Sequence, residues 1–236
     1  MEENTKLVEK VGSDWGGTHL ALDLITPDSL VISCGLANDI TFDTYLIENK
    51  NCKIIGVDPT VEAYKTVEQF LKANKRYKHK FELLRKAVHA KTGLQVNLGG
   101  PAKTFLSPDG EIATTISLED LILSYPGTSL LKLDIEGAEF LALESLRFRL
   151  RIPQLAISFH TWFNSKSDQY PNLGVPEALY TSEDVIEICE KIKTMGYKLV
   201  YEWHEDDFRL GQETLFIRKD IASPWDDITL HKLKQE

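Results

Sequence analysis

Three acid–base residues stand where apolar runs give way to polar ones. The stretch LLKLDIEGAEFLALE, Leu130 to Glu144, closes a run of buried-strand character on Asp134 and Glu136, with one residue between them. QLAISFH closes on His160 in the same way. A hydroxyl is a poor nucleophile at neutral pH and needs a base or a metal to take its proton. Glu136 or His160 has the chemistry of that base. Asp134 with His160 has instead the chemistry to ligate magnesium or manganese through oxygen and imidazole. The structural alternative is that either acid caps the following helix, whose amino terminus favours negative charge, and that the histidine is a satisfied strand end. A strongly apolar strand gains nothing from ending in two acids, which weighs for function in the pair. Lys132 either orients a carboxylate or snorkels.

A second group lies nearer the amino terminus. VISCGLANDITFD, Val31 to Asp43, breaks from an apolar run at Gly35, and KIIGVDPT closes on Asp58, 23 positions later. In a doubly wound sheet the ligand sits outside the carboxyl ends of the strands, with an acid after the second strand on ribose hydroxyls. A nicotinamide or flavin enzyme needs G-x-G-x-x-G there, so that the backbone can approach a pyrophosphate. This turn, Gly35-Leu36-Ala37-Asn38-Asp39-Ile40, has one glycine and an acid that repels diphosphate. S-adenosylmethionine carries no phosphate, and its amino and sulfonium groups tolerate carboxylates, so a methyl donor is favoured over a dinucleotide.

The elements that must position these residues alternate between strand and helix. VEAYKTVEQFLKA spaces Val61, Tyr64, Val67 and Leu71 as one helical face, and SEDVIEICEKIKTMG does the same with Val185, Ile188, Ile192 and Met195, with Gly196 at its end. FELLRKAVHAKTGLQVNL reads as a strand, a turn at Lys91 to Gly93 and a short strand. Gly99 to Thr115 reads as a long connection, and Ser117 as the cap of a short helix. YKLVYEW and TLFIRK look like a closing antiparallel pair. The expected fold is α/β: a mostly parallel seven-stranded sheet with helices on both faces, in one domain over 1–236, with 1–14 and 220–236 peripheral.

SCGLANDITFD, followed by IIGVDPT, TISLEDLI and LLKLDIEGAEF, resembles the FkbM-type methyltransferases, in particular a branch whose first motif reads S-F-G-x-G-x-D-I-S-F-D. The resemblance covers Trp15 to Arg218, with Gly16-Gly17 as the lead-in. It implies a Rossmann-like class I methyltransferase fold and S-adenosylmethionine as donor. Gly35 and Ala37 would let the backbone approach it, Asn38 and Asp39 would meet its methionine end, Asp58 the ribose diol, and the backbone around Ala87 and Val88 the adenine. Two positions depart from the pattern. Ser33 stands where many class I enzymes carry an acid, and Ala37 replaces the second glycine, which costs something if the turn needs φ above zero. By analogy with the Asp-x-Asp pair of some sugar O-methyltransferases, Asp134-x-Glu136 would supply a base and a metal ligand. The implied acceptor is a hydroxyl of a carbohydrate or another small molecule.

Composition bounds the partners. The 27 basic and 36 acidic residues give a net charge of −9, which disfavours nucleic acid. The basic run Lys72 to Lys80 follows an amphipathic stretch and reads as a solvated helix end. No apolar run reaches the roughly 18 residues of a membrane span, and MEENTKLVEK does not resemble a signal peptide. Cys34, Cys52 and Cys189 lie in apolar elements, so reduced thiols and a cytoplasmic location are expected. His160 leads into a loop with Trp162, Phe163, Asn164, Ser165, Asp168, Tyr170 and Pro171, suited either to a sugar face or to pinning the loop. His204 with Glu205, Asp206 and Asp207 reads as a polar turn, while His19, His79, His89 and His231 have no supporting constellation. Two rival functions stand beside sugar O-methylation: methyl transfer to a protein or other acceptor, and a module that keeps the fold without binding donor.

Overall fold

The computed structural model describes residues 7–99, 105–106, 111–147, 150–161, 180–204 and 212–227. The chain opens with a hairpin of β1 (Glu9–Val11) and β2 (Thr18–Leu20). It then alternates β3 (Leu30–Cys34), α1 (Thr41–Lys50), β4 (Lys53–Val57), α2 (Val61–Ala73) and β5 (Phe81–Leu84). Short strands β6 (Ala87–His89), β7 (Gln95–Gly99), β8 (Phe105–Leu106) and β9 (Glu111–Ser117) follow, with α3 at Leu118–Ser124. Alternation resumes through β10 (Thr128–Leu133), α4 (Ala138–Glu144), β11 (Gln154–Phe159) and α5 (Ser182–Thr194), and the described chain closes on β12 (Tyr197–His204) and β13 (Gln212–Arg218).

Seven strands form the main sheet in the order β12-β13-β11-β10-β3-β4-β5. The five from β11 to β5 are parallel, and β13 lies antiparallel to both β11 and β12. The central strands are apolar on both faces because helices cover both, as parallel sheets require. Period-two alternation divides their side chains. Ile32, Ile55, Leu131, Leu133 and Ile157 pack with Phe140 and Leu143 of α4 and Val185, Ile188 and Ile192 of α5. Val31, Ile54, Leu130 and Ala156 pack with Phe42 and Leu46 of α1, Val67 of α2, and Val11 and Leu20 of the hairpin.

The chain runs outward from β3 to β5 and then returns to the other side of β3 as β10. The switch point therefore lies between β3 and β10, whose carboxyl ends are adjacent.

Several expectations need correction. Residues 111–117 are not loop but β9, parallel to β6 and antiparallel to β7, in a small sheet ordered β6-β9-β7-β8. The β-branched run of Ile112, Thr114, Thr115 and Ile116 carried that signal. FELLRKAVHAKTGLQVNL forms three strands: the first expected strand is divided into β5 and β6, and Lys91 to Gly93 lies between β6 and β7. In α2 the buried residues are Ala63 and Val67, whereas Tyr64 is exposed beneath the Arg85 guanidinium. Val8 and Val11 at one end and Ala222 and Trp225 at the other are buried, so both flanks contribute to the core. Ser117 does cap α3, accepting from the Asp120 N–H at 3.1 Å, and Gly196 adopts φ +103 after α5. All three cysteines are buried and unpaired. Among the described residues no helix is long and apolar enough to cross a membrane.

Candidate functional site

The turn after β3 is built on Gly35, at φ +83. Its N–H donates to Val57 O at 3.0 Å, and a Cβ there would overlap the carbonyl oxygen of Asp134. Glycine is demanded by the closeness of β3 and β10 at the switch point, and its bare face meets protein backbone. Ala37, two residues on, sits at φ +45. A non-glycine residue there costs roughly 1–2 kcal/mol, so Ala37→Gly is expected to raise unfolding stability by about 1 kcal/mol in urea titration.

Asp58 holds this turn. Its Oδ2 accepts from the N–H groups of Leu36 at 2.8 Å and Ala37 at 3.0 Å, and its Oδ1 from Thr60 N at 2.8 Å and Thr60 Oγ1 at 2.6 Å. All four lone-pair positions of the carboxylate are engaged, so the expected ribose contact competes with bonds already made. Asp39 is similarly committed. Oδ1 accepts from Thr41 N and Oγ1, and Oδ2 from Ser13 Oγ at 2.5 Å. Burial pushes its carboxyl up, but the hydrogen bonds outweigh this and hold it below the ordinary value. Ala37 and Asn38 stand exposed at the rim. Ser33 is fully buried within β3, one residue short of the strand's end and away from the open edge. Ala87 and Val88 are buried and paired with Thr115 and Ile116 of β9.

The turn between β10 and α4 carries the acid pair. Glu136 has φ +56 and Gly137 φ +94, two left-handed residues in succession. Such backbone persists only where its surroundings hold it, and here the holder is Glu139. This carboxylate is fully buried. It accepts from Ile135 N at 2.7 Å and Gly137 N at 2.8 Å, and pairs with His160 Nδ1 at 3.0 Å. His160 Nε2 lies 3.6 Å from Asp134 Oδ1, and Asp134 Oδ2 accepts from Lys132 Nζ at 3.0 Å. Lys132, Asp134, His160 and Glu139 thus form a chain of alternating charge. Burial works against the charges of Asp134 and Lys132, but their neighbours prevail: the Asp134 carboxyl is held below its ordinary value by Lys132 and His160, and the Lys132 ammonium above its own by Asp134 and Asp43.

The His160 imidazole is disfavoured as a cation by burial, yet Glu139, Glu136 and Asp134 push its pKa up to about 10. An imidazolium has no lone pair to accept a proton, so this upward shift weighs against His160 as the base. The donor set for a divalent cation is thin: the Lys132 ammonium occupies one side of Asp134, and the described residues contain no group of three or more candidate ligands. Magnesium or manganese at Asp134 and His160 is thus not supported among the described residues.

Because the folded pKa of His160 exceeds the ordinary 6.5, the folded protein holds this proton more tightly than the unfolded chain. The stabilisation is complete below about pH 6.5 and is lost as pH rises toward 10. Denaturation midpoints are expected to fall across that window, with a shallower fall in His160→Gln.

Glu136 differs from its neighbours: among the described residues its carboxylate accepts no hydrogen bond. Burial, followed by the charges of Asp134 and Glu139, raises its pKa against the opposing pull of His160 and Lys132. It is a carboxylate moved toward neutrality, held on strained backbone at the strand edge.

Sequence reasoning missed Glu139, which reads as an ordinary acid in a first helical turn. It also missed the partners of His19, which lie far off in the chain. His19 Nδ1 is 2.7 Å from Glu213 Oε2, its Nε2 is 3.1 Å from the Tyr201 hydroxyl, and the two rings stack at 4.3 Å. Trp162, Phe163, Asn164, Ser165, Asp168, Tyr170, Pro171, Glu205, Asp206, Asp207 and His231 lie outside the described residues.

No family model and no curated protein matches the sequence. Among solved structures, the chain is similar to the methyltransferase FkbM from Methylobacillus flagellatus KT at 18% identity and a TM-score of 0.54, covering 81% of this chain and 44% of that one. This chain therefore spans less than half the length of that protein. Lower scores relate it to the methyltransferase domain of bacterial CtHen1-C (TM-score 0.48, 13% identity, 84% of this chain and 92% of that one). The same holds for Aeropyrum pernix fibrillarin with bound S-adenosyl-L-methionine (TM-score 0.47, 12% identity, 84% and 70%). The fold is the Rossmann-like class I methyltransferase fold.

Proposed function

We propose that the chain is an FkbM-type O-methyltransferase, transferring a methyl group from S-adenosylmethionine to a hydroxyl of a sugar or glycan. The observation that carries the reading is Glu136: a carboxylate that accepts no hydrogen bond among the described residues, its pKa raised, and fixed on left-handed backbone where the switch-point strand ends. Ligands of this fold class bind at that edge, and perturbed acids there are candidates for proton transfer.

The residues fit the donor by charge. Asp39, Asp134 and Glu136 face the edge where a dinucleotide enzyme would cradle phosphates, which suits a cationic ligand. The exposed rim at Ala37 and Asn38 would take the methionine end, Asp58 the ribose by sharing its bonds, and the β6 backbone at Ala87 and Val88 the adenine. When bound, the donor supplies a methyl group for in-line displacement from its sulfonium. Glu136 would take the proton of the acceptor hydroxyl. The His160 imidazolium, held by Glu139, offsets the negative charge that Asp134 and Glu139 place around Glu136 and so keeps it able to ionise. Residues that hold the acceptor beside the bound donor would remove much of the entropic barrier. The net charge of −9 supports an uncharged acceptor over nucleic acid.

One observation favours a second reading, a module that keeps the fold but not the donor: Asp58 and Asp39 already have their bonds made within the protein. Calorimetric titration with S-adenosylhomocysteine separates the two. Micromolar binding, equal with and without magnesium, is expected. Absence of binding in either condition would sink the enzymatic reading.

A further inference from the structure

Two tryptophans stand out as the most exposed large apolar side chains near the site edge: Trp15 is 84% exposed and Trp203 is 48% exposed. Trp15 lies in the loop joining β1 to β2, and that loop is tied down on every side. Ser13 Oγ donates to Asp39 Oδ2 and accepts from Trp15 N at 3.2 Å and Gly16 N at 2.8 Å. Ser13 N donates to Thr41 Oγ1 at 2.8 Å, and Gly17 N to Ser13 O at 3.0 Å. Gly16 packs so closely that a Cβ would come within 2.6 Å of the Asp39 side chain. The anchor, Asp39, belongs to the very turn that follows β3. A loop fixed this firmly, with its largest apolar side chain left in water, is preorganised for contact, and preorganisation lowers the ordering cost of binding.

Trp203 reaches the same edge from the other side. Strand β12 is antiparallel to β13, which is antiparallel to β11, so β12 ends where β10 and β11 end. Trp203 is the residue before that end and shares a strand face with Tyr201, which stacks on His19. Trp203 is also registered against Glu213, whose carboxylate accepts from Thr18 Oγ1 at 2.7 Å and pairs with His19. The hairpin carrying Trp15 is thereby clamped to the strand pair carrying Trp203.

Resting on the methyltransferase reading above, we infer that Trp15 and Trp203 are the acceptor-recognition residues, stacking on the apolar face of an uncharged sugar ring presented to Glu136. Indole rings supply large, rigid contact area with a polar edge. The carboxylates of Asp39 and Glu136 along this edge weigh against a phosphate-bearing acceptor, whereas a neutral sugar ring offers an apolar face to the two exposed indoles.

The test uses the full chain labelled with fluorotryptophan, with resonances assigned from Trp15→Ala and Trp203→Ala. Methyl glucoside, methyl galactoside and methyl rhamnoside are titrated in, with and without S-adenosylhomocysteine, against adenosine monophosphate and a short oligoribonucleotide. The glycosides are expected to shift the Trp15 and Trp203 signals. For a glycoside that is methylated, Trp15→Ala is expected to raise KM about tenfold with kcat within about twofold. Ser13→Ala, which keeps the indole but frees the loop, is expected to weaken the shifts. Failure of every glycoside to move either signal, or movement by the oligoribonucleotide alone, overturns the inference. Glycoside shifts without S-adenosylhomocysteine binding would keep the sugar face and refute the enzymatic reading instead.

Discussion

Glu139→Ala is expected to cost about 3–5 kcal/mol of unfolding stability, the range for removing one partner of a buried ion pair. The side chain is fully buried, and its loss strands three donors at once: the N–H groups of Ile135 and Gly137 and the His160 ring. It also removes what holds two consecutive left-handed residues in place, so the turn is expected to relax and carry Glu136 away from the edge. Denaturant titration measures the stability. A double-mutant cycle with Glu139→Gln and His160→Gln isolates the pair, with an expected coupling of about 0.5–3 kcal/mol. A loss below about 1 kcal/mol would mean that the turn is held by something else.

Glu136→Gln is expected to reduce turnover by about 100- to 10,000-fold, the usual contribution of a positioned general base, while donor binding and stability change little. The amide keeps the shape of the side chain and removes its proton affinity. Turnover in the unaltered protein is expected to fall as pH drops through the raised Glu136 pKa, so the acid limb should lie above the ordinary glutamate value of 4.5. A companion substitution separates chemistry from folding. Glu136→Gly relieves the positive φ and is expected to stabilise the protein by about 1 kcal/mol while abolishing turnover. A stable, inactive protein is the signature of a residue kept for function at a cost in stability. Full activity in Glu136→Gln would refute its role as base.

Removing the charge chain from the other end is informative in a different way. Lys132 donates to Gly35 O at 3.3 Å as well as to Asp134, so it links the turn after β3 to the turn after β10. Its position two residues before Asp134 puts both on one strand face, and this much the sequence contains. That the ammonium remains charged while nearly fully buried follows from Asp134 and Asp43, which the fold brings to it.

The sequence by itself determined the alternation of strands and helices, the closing antiparallel pair, the residues at which β3, β4, β10 and β11 end, and hence which side chains share one edge. Those features are written in short windows: an apolar run, a period of two or of 3.6, a glycine or an acid where the run stops. The dissent of Ala37 from the glycine pattern was also visible there, though not the positive φ that makes it costly. The tertiary structure decided the rest. Asp58 looked like a free ribose ligand until the fold placed the Leu36 and Ala37 N–H groups against it. His160 looked like a base or a metal ligand until Glu139, from the helix behind it, made it a cation. His19 looked isolated until Glu213, almost two hundred residues on, came within 2.7 Å. Charge state and hydrogen-bond capacity depend on distances through space, which the crossovers of the sheet set and no local window of the chain records.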